Sequence, residues 1–184
     1  LKPPLAFLVD PLNWLRAVAT LSRALLATGD LKQARELLVT ATALANSGMD
    51  ADGRAMGRLI TAGTAVQLGE AHQALSLGEL LEPAGFDGTV GLPVDREVPR
   101  GLALLQMGRD AQATSVLESA HERAAGPGAI HASGAALSLA KAITGDAEGA
   151  LAVADRTDAV EQGTYLDRIG TSFGRGFALL RLGR

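Results

Sequence analysis

An all-α fold, arranged as an α-solenoid of antiparallel helix pairs with about nine helices, is predicted by three observations in this 184-residue chain. The first is periodic. A glycine followed by a charged residue recurs at Gly29-Asp30, Gly69-Glu70, Gly108-Arg109, Gly145-Asp146 and Gly183-Arg184, at intervals of 40, 39, 37 and 38 residues, the signature of a helical repeat array. The second is that other positions keep step. A small residue stands seven places before each glycine (Ser22, Ala62, Gly101, Ser138, Gly176), and alanine stands five places after it at Ala34, Ala74, Ala113 and Ala150. Small residues at fixed register let two helices approach closely. The third is composition: aromatics are 3% and the apolar share of 47% leans on alanine, which suits close-packed helices and not sheets of aromatic and β-branched strands.

The elements follow in order. Leu1 to Val9 is apolar and carries Pro3-Pro4, so it runs extended over a neighbouring helix or is the remnant of a preceding repeat. Asp10-Pro11 reads as an N-cap and first helical residue. Paired helices are then expected over 12–28 with 31–46, 51–68 with 70–82, 94–107 with 110–125, and 129–144 with 146–161. A lone helix over 164–182 follows. The repeats are thus 10–48, 49–88, 89–127 and 128–162, with the last helix in 163–184, all in one repeat domain. Within each pair the glycine is the left-handed residue that ends the first helix, and Asp30 and Asp146 cap the second. Breaker-rich segments separate the pairs: Asn46-Ser47-Gly48, the stretch from Pro83 to Pro93, Gly126-Pro127-Gly128 and Gln162-Gly163. The longest, with Phe86, is either a plain connector or a ligand-contacting loop.

Charge and residue usage narrow the function classes. A net charge of -3, from 17 basic and 20 acidic residues spread along the chain, leaves no field for direct nucleic-acid contact. The uncharged stretch from Ala124 to Ala140 is too broken to span a bilayer, and no signal peptide is recognisable, so no membrane association is expected. With no cysteine there are no disulfides, thiol nucleophiles or thiolate metal sites, and a cytoplasmic location is expected. The chain opens on Leu1 and stops one residue past a repeat glycine, which reads as a fragment of a larger protein.

The register resembles the tetratricopeptide repeat, a helix pair with small residues at its eighth, twentieth and twenty-seventh places. Ser22, Ala34 and Ala41 occupy those places in the first repeat, and Gly101, Ala113 and Ala120 in the third. The departures are a period of 37 to 40 against the usual 34, a missing closing proline and few aromatics at bulky places. They resemble the longer, degenerate repeats of the C-terminal solenoid of large bacterial LuxR-type ATP-binding regulators and of multidomain nucleotide cyclases. The stretch Ala150 to Arg184, with Thr164-Tyr165-Leu166-Asp167-Arg168 and Leu179-Leu180-Arg181-Leu182-Gly183-Arg184, carries that narrower likeness.

The resemblance implies a right-handed superhelix and a non-catalytic scaffold module of a bacterial signalling or transcription regulator, which binds a protein or peptide such as an amphipathic helix. The alternative it leaves open is a small-effector sensor, with Arg23, Gln67 and Gln106 as polar contacts. The inner face of the first helix of each pair commonly takes the ligand in this family. On this register it includes Arg23, Gln67, Asp95, Leu102, Gln106, Phe173, Phe177 and Arg181. Phe173 and Phe177 are equally readable as core residues bared by truncation. A monomer, or a weak homodimer through the unpaired last helix, is expected.

Catalytic, cofactor and metal sites are all expected to be absent. His72, His121 and His131 share no three- or four-residue spacing, so no pair forms a metal site on one helical face, and each reads as solvent-facing or capping. Ser119 and His121 are two apart and point to different sides of a helix. No phosphate loop occurs, and Gly174-Arg175-Gly176 reads as helix packing. Arg168 and Arg175 share a face suited to an acidic partner, and Trp14 and Tyr165 read as core anchors.

Overall fold

The computed structural model describes residues 10–46, 50–79, 96–160 and 165–184, and every regular element among them is an α-helix. There are nine: α1 (Pro11–Thr28), α2 (Leu31–Ala45), α3 (Ala51–Gln67), α4 (Ala71–Glu79), α5 (Glu97–Gln106), α6 (Asp110–Glu122), α7 (Pro127–Thr144), α8 (Ala147–Asp158) and α9 (Tyr165–Arg181). The expected loop from Pro83 to Pro93 lies outside the described residues, as do Asp95 and the segment before Asp10.

The repeat glycines make the turns. Gly29, Gly69, Gly108, Gly145 and Gly183 all have positive φ, between 66° and 103°, where any Cβ would clash with the backbone. At the first turn Gly29 N–H donates to the Leu26 carbonyl at 3.1 Å and Asp30 N–H to the Leu25 carbonyl at 2.8 Å, the paired bonds of a Schellman motif. The same pair recurs at Gly69 and Glu70, at Gly108 and Arg109, and at Gly183 and Arg184. The next helix starts at once. Asp30 accepts from Gln33 N–H at 3.1 Å and Asp146 from Gly149 N–H at 3.0 Å, so both aspartates cap as expected. The alanine five places after each glycine donates the first hydrogen bond of the new helix, Ala34 to Asp30, Ala74 to Glu70, Ala113 to Arg109 and Ala150 to Asp146. All four alanines are buried.

Several boundaries differ by two or three residues, α6 ending at Glu122 and α8 at Asp158, three residues short of expectation, and α7 starting two residues early. Gly126-Pro127-Gly128 is not a connector throughout, because α7 begins at Pro127 with Gly126 at φ 85° before it. Proline at the first helical position loses no hydrogen bond, since that N–H has no intrahelical partner, and its φ is already helical. Asp10 behaves as predicted, accepting from Asn13 N–H at 3.1 Å ahead of Pro11.

The chain divides into two compact units, 1–87 and 88–184. In the first, α1 packs on α2 and α3, α2 on α3, and α3 on α4. Its core gathers Leu15, Val18, Ala41, Leu44 and Ala45, with Trp14, Leu37 and Ile60 packed against them, so Trp14 is a core anchor. Arg35 pairs with Glu70 at 2.7 Å and joins the first helix pair to the second.

In the second unit α5 packs on α6 and α7, α6 on α7, α7 on α8 and α9, and α8 on α9. Every helix pair in extensive contact within a unit is therefore adjacent or next but one in sequence. Val98, Leu117, Ala120, Ala136, Leu137, Ala140 and Val153 form one core, and Ala142, Ala147, Ala150 and Ala178 another. The last helix, expected as a lone element after the four pairs, packs back on the preceding pair. Gly170 and Gly174 bring α9 against α7: a Cβ on Gly174 would lie 2.8 Å from the Leu139 nitrogen, and one on Gly170 2.9 Å from the Ala135 Cβ. Gly174 is thus a packing glycine, whereas Gly176, two residues on, has nothing within 4 Å.

Candidate functional site

Amphipathic α9 carries the most exposed aromatic surface in the second unit. Its inward edge is held by polar contacts with α8. Arg175 reaches Asp155 at 2.6 Å and Asp158 at 2.8 Å, and Thr171 donates to Asp158 at 2.8 Å. The acidic partners suggested for Arg175 are therefore within the chain, while the side chain of Arg168 lies outside those described. On the opposite edge Phe173 is 61% exposed, Phe177 47% and Leu180 75%. These positions, spaced four and three residues apart, form one helical stripe. Together with Ser172 and Gly176 they line a shallow, mostly apolar hollow of about 250 Å³.

The residues expected on an inner face have different fates. Phe173 and Phe177 come together in that hollow. Arg181 is exposed, but its Nη2 donates to the Ile143 carbonyl at 3.0 Å and so satisfies an acceptor in the last turn of α7. Leu102 packs against the core around Leu117 and is only half exposed. Gln106 ends α5, exposed, in the second unit; Gln67 ends α3, exposed, in the first. Arg23 sits in α1 with its side chain outside those described, and Asp95 lies outside altogether. Leu180, absent from that set, completes the stripe begun by Phe173 and Phe177; its spacing on the helix is legible in the sequence.

Of the three histidines expected to be solvent-facing or capping, His72 is exposed, but the other two are not. His131 is buried, with Nε2 3.2 Å from the Val160 carbonyl. His121 is half-buried, with Nδ1 3.0 Å from the Ser133 hydroxyl on α7. A serine beside a histidine invites a nucleophilic reading, but this hydroxyl donates to the Ala129 carbonyl at 2.7 Å and is buried. The Ala129 carbonyl thus competes with His121 for the single hydroxyl proton. Burial, with Arg156 nearby, lowers the His121 pKa below its ordinary 6.5. His121 to Ser133 and Asp158 to Thr171 occupy the same register, thirteen after one turn glycine and twelve before the next. They are successive polar pins between helix pairs.

A third polar group serves the same purpose. Lys141 on α7 contacts Glu118 of α6 at 2.8 Å and Asp146 at 3.1 Å, which raises the lysine pKa and lowers that of Asp146. Among the described residues no three His, Cys, Asp or Glu side chains are placed to hold a metal ion. Nor is any described helix long and apolar enough to cross a membrane. No protein-family model, no curated protein and no solved structure matches the chain.

Proposed function

We propose that this chain is a non-catalytic, tetratricopeptide-like scaffold that holds a protein or peptide. The observation that carries the reading is the exposed stripe of Phe173, Phe177 and Leu180 on a helix whose other edge is anchored to α7 and α8. Apolar surface placed on a rigid element, and not scattered singly, is the usual mark of an interaction site. The sequential helix packing within each unit supports a repeat architecture. By the likeness of Ala150 to Arg184, the module belongs in the cytoplasm as part of a multidomain bacterial signalling or transcription regulator.

Photo-cross-linking tests this in the cell that makes the protein. A benzophenone side chain is introduced singly at Gln67, Gln106 or Phe173, and at exposed Gln33 and Gln112 as controls. The scaffold reading expects a discrete protein adduct from the first set and none from the controls. Equal adducts everywhere, or none, would overturn it.

A further inference from the structure

We draw no further inference here: the strongest candidate, the apolar surface patch of Phe173, Phe177 and Leu180 along α9, belongs to the site already described, and nothing in the structure shows what covers it.

Discussion

Gly101 on α5 and Gly176 on α9 have the same place in the repeat and opposite surroundings. The first lies under Leu117 in a closed core; the second faces open space between two exposed phenylalanines. Register therefore specifies a socket, and a second helix turns it into core. The small residue is required where the covering helix is present and is merely permissive where it is not.

Substitutions at the two places break or sharpen that contrast. The largest effect belongs to Leu117→Ala, which empties the filled socket and is expected to cost about 2–5 kcal/mol in denaturant unfolding. Gly101→Ala drives a methyl group into Leu117, whose side chain is fully buried and has little room to retreat, and costs about 1–3 kcal/mol. Ala113→Leu overfills the neighbouring crossing and falls in the same range of about 1–3 kcal/mol. Gly176→Ala has the opposite sign: no neighbour is touched and the helix gains a better former, so stability rises by about 0.5–1 kcal/mol. Equal effects of alanine at 101 and 176 would show that the two sockets do not differ in covering.

The smallest predicted effect concerns one pin. That pin is His121, packed between α6 and α7 against Ser133. Folding lowers the His121 pKa, so the unfolded chain takes up its proton first as pH falls. The His121 contribution is complete above the ordinary 6.5 and is lost as pH drops below it, levelling off under the folded pKa. His121→Gln should flatten that part of the stability profile.

What was legible in the sequence and what was not divides along the range of the interaction. Turn glycines, capping aspartates and the alanine after each turn are fixed by backbone geometry within a few residues, and all were readable. The start of α7 was misjudged because Gly126 and Gly128 flank Pro127, and two glycines outweighed the preference of proline for a first helical position. The pins were invisible to local spacing. Ser133 is twelve residues from His121, and Asp155 is twenty from Arg175, distances that only helix packing closes. Of the positions that the family resemblance placed on an inner face, Phe173 and Phe177 line one hollow, whereas the engagement of Arg181 with the α7 carboxyl end depends on where a neighbouring helix stops.

Because extensive helix contacts within each unit reach no further than the next helix but one, ordering any part of the unit requires closing only short lengths of chain. Low contact order of this kind favours rapid folding and lets structure start at more than one point and spread to its neighbours. Amide protection in the second unit should accordingly be graded, strongest in α7, which is packed from several sides, and weakest toward the ends of the array.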